Sequence, residues 1–561
     1  APGLLPGSVL VMLSNALSLP EVTIEAMWQV FSPALWQPGH LGHEQTPQLF
    51  FPPVRSCTQD SCPNKPSLGD ARRHPASLFT LDRGIVPVYI SSLRCPVCHS
   101  TYHLNYCRQK ASDGTHIRAY YPGRPQVLQV ETHVLVHKAV AKLFRAQALH
   151  SHASALSIAR IYITALSYTE EQPGTAWQPT TLRGAYVWDT FYLDALLHHH
   201  DEQGTTLELL EHLENKLPGS FTQTDRLTLA LQQRNEFMAG PGQEYYAHAC
   251  EGCLRVTEQN GTSTYIHAAI TDGVSVGRPC CGQHNCHEPL PTTQARFCKT
   301  HHNLTEVCAI RDCQHPVESG TLTCNHPDHV LAEESYRESG KSMPKLAPLS
   351  NDLESLAQLS LGTLQTCDGK TDQGNRKLKG RFGRSYTHNE QLIVRPCGVI
   401  VARATFYGAE SISSVADMLR AVFPTPQSVP GILFYDNNCH LRRHLQAAPS
   451  NHFKAMGQPV DVFHFKSKHS ENDEYCGQHC NPLLFPEIYD AKTKTWFFNS
   501  SAAEQTNAWF NGYHSIVHDM VGPRYDFFLD EMIKERNRFT VANLEKEGKH
   551  PYLVPRDWLL S

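Results

Sequence analysis

The chain has 561 residues, 40% of them hydrophobic and 18% charged, with a formal net charge of −5. That balance describes a folded protein of roughly three or four domains and excludes a disordered chain. It also excludes a globally basic nucleic-acid binder, so an anionic partner would have to be met by local segregation of charge, and no run of about 18 apolar residues offers a membrane span.

Residues 1–50 read as a helical, proline-punctuated lead-in, and the mildly apolar stretch from Leu4 to Leu19 lacks the basic flank of a signal peptide. Residues 51–125 hold a first cysteine group in a turn-rich setting. Residues 126–250 read as a helical domain and a possible DNA-binding unit. There Val136, Val140, Leu143 and Phe144 recur at helical spacing, and Leu156, Ala159 and Tyr162 follow a short break. Two short helices about a tight turn fit a plain helical hairpin before they fit a helix-turn-helix. Residues 250–330 are the densest in cysteine and histidine. Residues 331–390 read as a flexible linker with a basic end, in which Arg376, Lys377, Lys379 and Arg381 are candidate DNA-phosphate contacts. A solvated linker or a nuclear targeting signal accounts for that strip equally well. From residue 391 strands and helices alternate. Strands are expected at 393–401, 403–407, 431–435 and 461–465, and helices at 411–423, 500–518 and from Tyr525 onward.

The 19 cysteines come as close pairs interleaved with histidine, a spacing that suits tetrahedral zinc in a reducing compartment better than disulfides. Cys57 and Cys62 with Cys95 and Cys98 form a zinc-ribbon-like set. Cys281 and Cys286 with Cys298 and His301 form a second set, and Cys308 and Cys313 with Cys324 and His329 a third. Cys250 and Cys253 are a loose pair that joins either cluster or neither. Cys476 and His479, spaced Cys-x-x-His with Cys480 adjacent, fit a local zinc or a structural hydrogen-bonding role.

Three acids stand at positions that gain meaning from their order. YIHAAI (residues 265–270) runs into Asp272, GILFY (431–435) runs into Asp436, and Glu504 falls in the first turn of a helix that Asn499, Ser500 and Ser501 can cap. A ribonuclease-H-like fold places its acids on the first strand, just after the fourth, and on a later helix. Three converging carboxylates suit Mg²⁺ (or Mn²⁺), because in-line displacement at phosphorus needs charge held beside the attacking and leaving oxygens. The expected fold is therefore α/β. A ribonuclease-H-like catalytic core over 251–279 and 391–545 is interrupted by a zinc-binding cysteine-rich insertion at 280–330.

Several blocks resemble the Kyakuja–Dileera–Zisupton (KDZ) transposases. YIHAAITDGVSVGR resembles their first catalytic block, and RPCGVIVARATFYGAES, GILFYDNNCHLRRHL and FHFKSKHSENDEYCGQHCNP the blocks that follow. FNSSAAEQTNAWFNGYHSIVHDM resembles the block with the final glutamate. The cysteine clusters resemble those found with members of this family in mushroom-forming fungi. The resemblance implies Asp272, Asp436 and Glu504 as catalytic, Mg²⁺-binding acids of a cut-and-paste DDE transposase acting on transposon-end DNA. A homo-oligomer in the nucleus is expected. A catalytically silent, transposase-derived DNA- or chromatin-binding protein is the competing reading.

Overall fold

A computed structural model of the chain describes residues 5, 7–35, 48–111, 114–166, 181–211, 226–259, 262–341, 380–467, 474–490 and 492–561. The fold is a mixed α/β arrangement. Helices Gly7–Leu17 and Glu21–Leu35 pack on one another through Leu10 and Ile24. No single described helix is long and apolar enough to cross a membrane, although this bent pair passes by length and composition together.

The region expected to be turn-rich instead supplies most of a nine-stranded sheet, centred on Gly69–Phe79 and Ile85–Arg94. The helical expectation also begins too early. VLQVE and VLVH (Val127–Glu131 and Val134–His137) form a hairpin in the same sheet, because their β-branched side chains suit a buried pleated surface. The helix starts only at Lys138, where His137 Nδ1 accepts the Ala139 amide at 3.2 Å. It leads through His152, at a φ of +46°, into a second helix, Ala155–Leu166. The second helix is a packed partner of the sheet. Ile158, Ala159 and Tyr162 are buried, and the Tyr162 hydroxyl donates to the Thr80 carbonyl at 2.7 Å.

The second sheet positions the acids. Its central strand β1 (Thr262–Val274) runs antiparallel to β2 (Asn389–Val394), which runs antiparallel to β3 (Ile400–Phe406). On β1 also lies β4 (Ile432–Phe434), and this pairing is parallel. Beyond β4 the chain at Gly457 lies parallel to it, the Leu433 amide donating to the Gly457 carbonyl at 2.8 Å.

Side chains alternate between two covered faces. Ala269, Ile393 and Leu433 pack with helix α1 (Ile412–Val422) through Val415 and Leu419. Ala268, Ile270, Leu392 and Phe434 join a core that includes helices α4 (Ala502–Phe510) and α5 (Gly522–Lys546). Burial on both faces explains why these strands read as continuous apolar runs. In the chain, helices α2 (Asn438–Ala447) and α3 (Val462–Ser467) come between α1 and α4.

The strand expected at 461–465 is α3. Asp461 Oδ1 accepts the amides of Phe463 at 2.9 Å and His464 at 3.1 Å, which caps and starts a helix where apolar alternation alone reads as a strand. The expected linker is also shorter than 331–390. Helix Pro327–Lys341 occupies its first part, and Ser385–Tyr386 already pairs with Pro279–Cys280.

Candidate catalytic and metal sites

Asp272 lies within β1 opposite Leu392, and the strand continues two residues past it to Val274 instead of ending before it. A Cβ on the following Gly273 would stand 2.8 Å from Glu410 Oε2 and closer still to the Asn389 amide, so this position admits only glycine without displacing polar groups. Asp436 follows β4 with Tyr435 between, and Glu504 occupies the first turn of α4, as the sequence indicates.

Two residues that sequence reasoning did not assign tie these elements together. His464 on α3 places Nε2 3.0 Å from Asp436 Oδ2, and Nδ1 3.1 Å from Asp461 and 3.5 Å from Glu504 Oε1. Asn507, one turn beyond Glu504, donates Nδ2 to Asp272 Oδ2 at 2.8 Å and so fastens α4 to β1. Glu410, held by the Tyr435 hydroxyl at 3.0 Å, is a further carboxylate at the rim.

The Asp272 carboxyl is pushed up to about 7, first by burial and then by the negative charges of Asp436, Glu410 and Glu504, with the bond from the Gly273 amide opposing. A buried carboxyl raised in this way by neighbouring carboxylates is relieved by a cation, and an all-oxygen set suits a hard divalent one. Asp461, His464 and Glu504 also bring one ligand atom each within 4.8 Å of one another. The i, i+3 spacing of Asp461 and His464 could have announced them, but a strand reading sends residues three apart to opposite faces.

The three expected cysteine quartets assemble as read: Cys57, Cys62, Cys95 and Cys98; Cys281, Cys286, Cys298 and His301; and Cys308, Cys313, Cys324 and His329. In each, the ligand atoms lie within 4.8 Å of one another. Sulfurs 3.6 Å apart for Cys57–Cys98 and 3.8 Å for both Cys62–Cys95 and Cys286–Cys298 are too distant for disulfides. They match the separation of roughly 3.8 Å that a tetrahedron with zinc–sulfur bonds of about 2.3 Å requires. The Cys324 sulfur and His329 Nδ1, 3.3 Å apart, are equally close. These clusters could hold zinc. Cys250 and Cys253 belong to none of them.

Cys476 and His479 differ in burial. His479 is exposed against the Tyr475 ring, whereas Cys480, one residue on, is buried in a cluster with Cys476 and Cys439. Positions four apart share a helix face more closely than positions three apart when the face is this narrow.

Of the basic strip, Arg376, Lys377 and Lys379 lie outside the described residues. Arg381 donates its amide to the Ala309 carbonyl at 2.7 Å and joins Arg311, His284, Asn285, Tyr386 and Tyr407 around a polar cleft of ≈ 340 Å³. That cleft lies between the cysteine modules and the sheet that carries the acids.

Residues 45–166 match the CxC5-like cysteine cluster associated with KDZ transposases, and residues 270–335 match the CxC6-like cysteine cluster associated with the same transposases. No curated protein and no solved structure matches the chain.

Proposed function

We propose that this chain, whose two transposase-associated cysteine clusters support a KDZ-family transposase, is a cut-and-paste DNA transposase of the DDE type. Asp272, Asp436 and Glu504 are its acids and its core is ribonuclease-H-like. The carrying observation is that Asp272 is raised to about 7, first by burial and then by the negative charge of Asp436 and, more weakly, of Glu410 and Glu504. The strand arrangement supports the same reading. The order β3-β2-β1-β4 has only the β1–β4 pair parallel, with an additional strand, Leu254–Gln259, antiparallel to the start of β1, and acids lie on β1, after β4 and on a later helix.

Bound Mg²⁺ (or Mn²⁺) supplies positive charge at the scissile phosphate. Asp272, Asp436 and Glu504 would hold it. Asn507 fixes the rotamer of Asp272, and His464 holds Asp436 in place from α3. The substrate is DNA at transposon ends and at a target, engaged in the nucleus by a homo-oligomer. The arginine-lined cleft beside Arg381 offers phosphate contacts.

The deciding experiment measures metal-dependent nicking of DNA carrying the element's terminal repeats. Asp436→Asn is expected to abolish cleavage with DNA affinity nearly intact, since asparagine keeps the size and removes the charge. Nicking by the variant at the wild-type rate would overturn the catalytic reading and leave a transposase-derived DNA-binding protein.

A further inference from the structure

Arg395 follows β2 and is 3% exposed. Its Nη1 donates to the Ala268 carbonyl at 3.2 Å, and its Nε meets no hydrogen-bond partner among the described residues. A guanidinium stays charged in a protein interior, and a buried charge requires a counter-charge. The groups whose negative charge acts most strongly on Arg395 are Cys253, Cys397, Tyr246 and Cys250.

Those cysteines are brought together by distant parts of the chain. The Cys250 and Cys253 sulfurs are 3.7 Å apart, across a tight turn in which the Leu254 amide donates to the Cys250 carbonyl at 2.9 Å. Cys397 sits in the turn between β2 and β3, where Gly398 adopts a φ of +89°. Its sulfur is 3.3 Å from His248 Nε2. A Cβ at Gly252 would stand 3.3 Å from Cys397 Cβ and 3.6 Å from the Cys250 sulfur, so the closeness of the two segments relies on that glycine. One ligand atom from each of His248, Cys250, Cys253 and Cys397 lies within 4.8 Å of the others.

We propose that His248, Cys250, Cys253 and Cys397 bind a structural zinc ion. Three thiolates and a neutral imidazole around Zn²⁺ carry one net negative charge, a counter-charge for the buried Arg395 guanidinium. The ion joins distant parts of the fold. Ala249 pairs with Tyr552 of the C-terminal segment, Leu544 of α5 packs on the cysteines, and Cys397 belongs to the β2–β3 turn. The Cys253 carbonyl accepts the Ala268 amide, four residues before Asp272 on β1. The ion therefore lies about 13 Å along that strand from the acids, in a position to hold the sheet rather than to touch substrate.

The test counts zinc in the full chain, purified without chelator, by elemental analysis. Cys250→Ser and Cys397→Ser are each expected to lose one zinc equivalent, and the double variant also one, because the two residues share an ion. Unchanged zinc in either single variant, as a lone thiolate beside Arg395 would give, overturns the site. So does a loss of two equivalents in the double variant. Should the variants not fold, the wild-type chain is titrated with chelator and its thiols are alkylated and mapped by mass spectrometry. Cys250, Cys253 and Cys397 are expected to become reactive together as one zinc equivalent leaves. Alkylation of any of them that is independent of zinc release overturns the proposal.

Discussion

At the scale of single residues, Asp272 carries the largest electrostatic tension in the candidate catalytic site. Its folded-state pKa stands at about 7 against an ordinary 3.8. Between those values the folded metal-free protein binds the proton that the unfolded chain releases. The Asp272 contribution to stability is thus full below about pH 4 and lost as pH rises through about 7. Asp272→Asn is expected to remove that loss. Without divalent metal the variant should gain about 1–2 kcal/mol on wild type between pH 5 and pH 8, a value kept below the full shift because the site is partly hydrated. Added Mg²⁺ should stabilise wild type at pH 8 and leave the variant unmoved. Parallel pH–stability curves for the two proteins in urea titrations would show that the carboxylates are not coupled. Asn507 makes a second test. Asn507→Ala removes the 2.8 Å bond that orients Asp272 but no ligand, and should lower cleavage about 10–100-fold with raised Mg²⁺ demand.

At the scale of elements, α5 is bound to the sheet by buried charge as well as by apolar packing. Arg403 on β3 meets Glu390 at 2.7 Å, Asp530 at 3.0 Å and Asp526 at 3.3 Å, with Glu390 wholly buried. Arg403→Met would leave Glu390 and Asp530 buried without the Arg403 counter-charge, at a cost of about 3–5 kcal/mol read from urea unfolding. The two cysteine–histidine modules between β1 and β2 depend on a different force. Their clusters consist of little more than the cysteines themselves with Phe297, Leu290 and Leu304 in one, and Ile310, Ala332 and Phe382 in the other. So small a core does not balance chain entropy without metal. Chelation should therefore raise hydrogen exchange across residues 280–330 first, while β1 and β2, buried in the main cores, stay protected. Simultaneous loss of protection in both would make the modules part of one cooperative unit.

For the whole molecule, a net charge of −5 means that affinity for DNA must come from where the basic residues gather. Replacing Arg376, Lys377, Lys379 and Arg381 by alanine should weaken binding to transposon-end DNA. It should also reduce the salt slope by about one unit for each phosphate left without its basic partner. An unchanged slope would move the DNA path elsewhere, with Arg311 and the rest of the cleft beside Arg381 as the next positions to neutralise.

Features written in short stretches of chain were legible from the chain alone. Each of the three expected quartets is built from close pairs of ligands, so a local turn fixes each pair and spacing reveals it. Asp436 after a buried strand and Glu504 in the first turn of a helix are equally local, although Ser501 at the N-cap makes no side-chain cap bond. Tertiary structure decided what depends on partners far along the chain. Alternating valines at 127–137 became strands because a sheet was there to receive them, and residues 461–465 became a helix because Asp461 could cap it. The bond from Asn507 to Asp272 spans 235 residues, and His248 meets Cys397 across 149. Closing loops of that length has no local signature. A polar side chain at such a position reads as ordinary surface until the sheet forms and the burial of Arg395 or Asp272 makes a counter-charge necessary.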